Sequence, residues 1–158
     1  MYTTFGFEDN VIYGIFPQWY MRVARLRLPD AFLIRYDGID QEHRNLIERL
    51  NDAFNKLEDG KLHKFEEPLN KFFLSLSIHF QHEKAEMLAV GYPGLDTHSL
   101  HHEQCLKRVK KLVLDCRNAG FLSEEALVEC FDTIVADIAK ADLQFGEFLD
   151  SKELREAR

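Results

Sequence analysis

The strongest constraint on this chain's fold is a set of ionisable side chains placed inside otherwise apolar helical stripes. His79 and Glu83 stand four residues apart, as do His98 and His102, and five of the seven histidines fall within residues 79–102. Residues four apart lie one above the other on a helix face, so each pair can close on one metal ion with little backbone rearrangement. The stripes read Phe72, Leu76, His79, Phe80, Glu83, Met87, and then His98, His102, Cys105, Val109, Leu112, Cys116. Helices of this kind carry polar groups inward, which is costly unless those groups are paired or metal-bound.

Glycine and proline divide the rest into four helical segments. Ile39 to about Asp59 places His43, Leu46, Ile47, Leu50, Phe54 and Leu57 at three- and four-residue steps, and Gly60 stops it. Pro68 can open the second helix, which ends before Gly91, Tyr92, Pro93 and Gly94. Asp96 or Thr97 can cap the third, which ends at Asn118, Ala119 and Gly120. Ser123 caps the fourth, with Glu124 and Glu125 in its first turn and Leu127, Phe131, Ile134, Ile138, Phe145 and Leu149 on its apolar face. No segment alternates like a strand. Short connections between long helices predict an all-α, up-down-up-down antiparallel four-helix bundle over residues 39–158.

Residues 1–38 form an N-terminal arm of different character. Nine of the nineteen aromatics, Trp19 among them, lie there without a sustained period, although Pro17 to Arg27 can make a short helix. The arm is expected to pack on the open end of the bundle.

Charge and cysteine usage exclude several classes. A net charge of -7, with one short basic cluster at Arg22, Arg25 and Arg27, argues against nucleic acid or an anionic membrane as partner. Cys105, Cys116 and Cys130 are odd in number and lack C-x-x-C spacing, which fits reduced core thiols in a cytosol. The longest apolar run, Val11 to Pro17, is far short of a membrane span. A cytoplasmic protein is expected, and no feature sets an oligomeric state.

His43, His79, Glu83, His98, His102 and Asp142 all project from stripes of Leu, Ile, Phe and Cys. One histidine so placed is most simply a hydrogen-bonded core residue, but six groups on four helices point to a metal site. Imidazoles with carboxylates suit iron, manganese or zinc, and the absence of clustered cysteines argues against an iron–sulfur or structural zinc site. Bundle cores are where dinuclear carboxylate sites are built, so two metals bridged by carboxylates are expected. His82 and His101 sit one residue from these positions and point off the stripe, as surface residues or neighbours of the ligands; His63 lies in a loop.

The run Ile39, Asp40, Gln41, Glu42, His43, Arg44 with Leu46, Leu50 and Asn51 precedes His79 and Phe80 with Glu83, then Tyr92 and Pro93, then His98 and His102. These motifs, in this order and at these intervals over roughly residues 36–150, resemble the hemerythrin and bacteriohemerythrin signature. The resemblance implies a four-helix bundle with two non-haem iron ions that binds dioxygen, or another small diatomic ligand, in a pocket. It implies His43 and His79 on one iron, His98 and His102 on the other, and Glu83 and Asp142 as bridges beside an oxo or hydroxo group.

Helix four departs from that pattern. Where the family has His, then usually Ile, then three residues and Asp, this chain reads Asp137, Ile138, Ala139, Lys140, Ala141, Asp142. On a regular helix five residues span about 140°, so Asp137 and Asp142 would flank one inward sector. Asp137 therefore ligates metal directly, holds a water at it, or faces away and leaves a position open. As a ligand it would remove one of the two positive charges left by two ferrous ions and two bridging carboxylates, favouring the ferric state. Two histidines and a carboxylate are also the ligand set of non-haem oxygenases with open positions. Three functions follow: dioxygen binding for storage, delivery or sensing; a di-iron redox enzyme acting on peroxide, oxygen or nitric oxide; and a non-catalytic metal-binding signalling module.

Overall fold

The computed structural model describes residues 26–58 and 66–152. Trp19, Gly60, His63 and the expected helix from Pro17 lie outside these residues, apart from Leu26 and Arg27, which are not helical. The chain is all-α: α1 is Asp37–Glu58, α2 Glu66–Ala89, α3 Leu95–Ala119 and α4 Glu124–Asp137, followed by a π turn, Ile138–Asp142, and α5, Leu143–Ser151. Among the described residues there is no strand, and no helix is long and apolar enough to cross a membrane. The helices close into a four-membered bundle in which α1 touches α2 and α4, and α3 touches α2 and α4.

Local chemistry fixes the ends. α1 starts two residues before the expected Ile39, with Asp37 and Asp40 in its first turn, where carboxylates favour the positive end of the helix dipole. Pro68 occupies the first described turn of α2, where a missing N–H forfeits no intrahelical bond. At the other end Tyr92 N–H reaches Met87 O at 2.9 Å and Gly91 N–H reaches Leu88 O at 3.2 Å, closing the helix with Gly91 at φ 65°. Gly94, not Asp96 or Thr97, is the residue before α3, and it makes no side-chain cap. Asp96 instead lies inside the first turn, where its charge acts on the dipole. Ser123 caps α4 as expected, accepting from Ala126 N–H at 3.2 Å.

Apolar faces meet in two clusters. The larger joins Leu46, Leu50, Leu69, Phe72, Leu76, Val109, Leu127, Phe131 and Ile134 with their neighbours, and the smaller joins Ile34, Ile39, Met87, Phe145 and Leu149. Polar residues stand between the two. His43 lies between Ile39 and Leu46, His79 and Glu83 between Leu76 and Met87, and Asp137 and Asp142 between Ile134 and Phe145. The polar belt is therefore shielded from water by apolar packing on both sides.

The described part of the arm runs beside α1. Asn51 receives Leu26 N–H at 2.8 Å and donates to Leu26 O at 3.0 Å, while Asp40 Oδ1 accepts Ile34 N–H at 3.0 Å. Between Ile34 and Tyr36 the chain turns at Arg35, whose φ of 59° is unusual for a side-chain-bearing residue. That turn delivers Ile34 into the smaller cluster and Tyr36 Oη to Glu86 Oε2 at 2.9 Å.

Candidate metal centre

His43 from α1, His79 and Glu83 from α2, His98 and His102 from α3, and Asp142 from the end of the π turn converge in the bundle interior. None of the six exceeds 5% exposure, so the ionisable groups are as buried as the leucines around them. Two ligand groups share Asp142. One is His43, His79 and Asp142; the other is Glu83, His98, His102 and Asp142.

The spacing could accommodate a metal ion. Two ligand nitrogens held ~2.1 Å from one ion at right angles stand ~3.0 Å apart. His43 Nε2 and His79 Nε2 are 3.1 Å apart, and His98 Nε2 and His102 Nε2 are 2.9 Å apart. Asp142 reaches each pair with a different oxygen, Oδ2 at 3.1 Å from His43 Nε2 and Oδ1 at 3.1 Å from His98 Nε2. Glu83 Oε2 lies 3.1 Å from His102 Nε2, 3.5 Å from His98 Nε2 and 4.0 Å from His79 Nε2.

The carboxylate contacts are not aligned as hydrogen bonds. Both oxygens of Glu83 and both of Asp142 are buried without a hydrogen-bond partner. Buried carboxylates left so would carry a large desolvation cost, whereas cations at the two convergence points would offset it. The residues present therefore fit a pair of metal ions.

Electrostatics agree. Burial disfavours the His98 imidazolium, yet Asp142 and Glu83 outweigh it and raise the pKa to about 9. His43 is also raised against burial, chiefly by Asp142. Asp142, resisted by burial, is held far below the usual carboxylate range by His43 and His98. Burial pulls His102 down in spite of Glu83.

Neighbours fix the rings. His79 Nδ1 lies 2.8 Å from Glu42 Oε2, so the carboxylate holds the proton on Nδ1 and leaves the Nε2 lone pair facing inward. The other Glu42 oxygen takes exposed His82 Nδ1 at 2.6 Å. Phe80 stacks on His102 with centroids 3.7 Å apart and planes 8° from parallel. Tyr92 stands edge-on to His98. Glu42 and Phe80 belong to the motifs read from the sequence, but their roles emerge only from the packing between helices.

Asp137 is buried, at 2% exposure, so its carboxyl lies inside the bundle. Its Oδ1 lies 3.6 Å from His102 Nε2, but it belongs to neither convergent group. Instead it gathers with His101 and Cys105. Burial first, then Asp142 and Glu83, push its pKa well above the ordinary carboxylate value. The expected 140° between Asp137 and Asp142 does not hold either. Leu143 N–H bonds to Ile138 O five residues back, and this wider turn brings residues five apart closer to one face than a regular helix would.

A family model described as the hemerythrin HHE cation binding domain matches residues 35–145. A hemerythrin chain of Sipunculus nudus is 26% identical over 119 residues, covering 75% of this chain and 89% of the relative. A bacteriohemerythrin of Clostridium acetobutylicum is 26% identical over 126 residues, covering 77% and 96%. A bacteriohemerythrin of Stenotrophomonas maltophilia is 30% identical over 103 residues, covering 65% and 67%. No solved structure matches the chain.

Proposed function

The chain belongs to the hemerythrin HHE cation-binding family, and on that premise we propose that it holds two non-haem iron ions and binds dioxygen reversibly. His43 and His79 would hold one ion, His98 and His102 the other, with Asp142 and Glu83 shared between them. The observation that carries this reading is Asp142, whose two oxygens each stand 3.1 Å from a different histidine pair and make no hydrogen bond. A carboxylate in that position is built to bridge.

When bound, the iron pair would supply the electrons and the open position that a diatomic ligand needs. The protein's part is to hold the donors and keep water out. Glu42 and Phe80 fix the rings of His79 and His102, and Ile39, Met87, Tyr92 and Phe145 close one side of the polar belt. Asp137 joins neither group, and the family's histidine is absent there, so an ion on His98 and His102 would have one protein ligand fewer. This shortage favours a second reading, a redox enzyme acting on peroxide, oxygen or nitric oxide, because an extra open position admits substrate as well as a carried ligand.

Anaerobic loading with ferrous iron followed by admission of dioxygen separates the two. Reversible binding predicts two irons per chain and an absorption spectrum that appears with dioxygen and disappears on its removal. Multiple turnovers of peroxide or nitric oxide under reductant, without a reversible spectrum, would replace carriage with the enzymatic reading.

A further inference from the structure

His101 and Cys105 are four residues apart on α3, the same one-turn spacing as His98 and His102, but set on the neighbouring strip of the helix. Asp137, from the end of α4, faces them. His101 Nε2 lies 3.2 Å from Asp137 Oδ1 and 3.6 Å from Cys105 Sγ, and one donor atom from each residue lies within 4.8 Å of the other two. We propose that His101, Cys105 and Asp137 form a third cation site, beside the dinuclear centre and distinct from it, for a zinc-class divalent ion.

The two separations from His101 are close to those of tetrahedral coordination. A sulfur and a nitrogen on one zinc-like ion stand ~3.6 Å apart and a nitrogen and a carboxylate oxygen ~3.4 Å apart, from bond lengths near 2.3 Å and 2.0–2.2 Å. The polar accounting points the same way. His101 Nε2 is one atom facing two partners, and Asp137 Oδ1, inside a side chain only 3% exposed, has no hydrogen bond. One donor atom from each of the three residues falls within the reach of a single ion, and a cation there would satisfy all three at once. The donor set of thiolate, imidazole and carboxylate suits zinc or cobalt better than magnesium or calcium. Three protein ligands leave a fourth position for water, and His101, at 24% exposure, gives the site an edge on solvent. Asp137 thus keeps a metal-holding role, but toward this ion.

Cobalt(II) titration tests the site, because a cysteine thiolate on cobalt gives a charge-transfer absorption that oxygen and nitrogen ligands do not. Full-length chain is first loaded with ferrous iron without oxygen, freed of excess, and then titrated with Co2+. The thiolate absorption is expected to saturate at one cobalt per chain, to vanish in Cys105→Ser, and to need at least tenfold more cobalt in His101→Gln. Circular dichroism confirms that each variant keeps its helices, and His101→Gln alters a partly exposed residue outside the apolar clusters. No thiolate absorption in the folded native chain, or an absorption unchanged in Cys105→Ser, overturns the proposal. If the chain fails to take up iron but still gives the Cys105-dependent absorption, the dinuclear reading falls and the third site stands.

Discussion

A carboxylate at position 137 reaches less far than an imidazole, and its Oδ1 stops 3.6 Å from His102 Nε2. Asp137→His would restore the missing ring to the ion on His98 and His102 and remove a buried acid. The expected result is unchanged iron content with slower autoxidation, followed by the decay of the oxygenated spectrum; an unchanged rate would show that this position does not set the chemistry. His98 gives a second handle. In the metal-free chain its pKa is raised from 6.5 to about 9, against burial, by Asp142 and Glu83. A folded-state pKa above the unfolded value means that the folded chain holds the extra proton, so this stabilisation is complete below pH 6.5 and lost as pH rises to about 9. Thermal melts of metal-free protein should show Tm falling across that interval, while iron-loaded protein, with the proton displaced, should not share the fall. A flat metal-free profile would contradict the assignment. At this scale the six converging side chains were legible, since an ionisable residue inside an apolar stripe announces itself. Glu42 was not, because its partner His79 lies on another helix and sequence spacing says nothing of contacts across a groove. The His101 and Cys105 spacing was present to be read, but a histidine one residue from an inward position looks like a surface residue until Asp137 is seen facing it.

Helix four shows where periodicity stops being a guide. Its apolar face, from Leu127 through Phe131 and Ile134 to Phe145 and Leu149, is buried as its spacing predicts. The π turn between α4 and α5 is not visible in that spacing, because a period of 3.6 assumes the same hydrogen bond at every residue. The five-residue interval from Asp137 to Asp142 gave no warning, because on a regular helix it already lets both groups flank one inward sector. A turn with poorer hydrogen-bond geometry should open more readily than the helix before it. Hydrogen exchange on the metal-free chain should therefore show the amides of residues 139–143 exchanging at least tenfold faster than those of residues 127–134. Equal protection along both stretches would mean that the turn is as stable as regular helix. Ends with chemical markers fared better: Ser123 and Gly120 sit where a cap and a left-handed stop were expected. Gly94 before α3 has no side chain to announce a helix start, which is why Asp96 and Thr97 drew the reading two residues too far.

Across the whole molecule, a belt of buried histidines and carboxylates divides two apolar clusters, and each of the bundle's helices supplies part of it. The helical bundle could be read from the chain because four stripes and their punctuation repeat the same message, and long-range packing had only to bring them together. How the belt divides its donors was not legible, because that depends on which oxygen of Asp142 faces which histidine pair. The central claim is that two ions share Asp142 as a bridge. Anomalous diffraction at the iron edge, from crystals of the anaerobically iron-loaded full chain, tests it most directly. Two iron peaks are expected on either side of the Asp142 carboxylate, one against His43 and His79 and the other against His98 and His102. A single peak, or iron located away from Asp142, would contradict it.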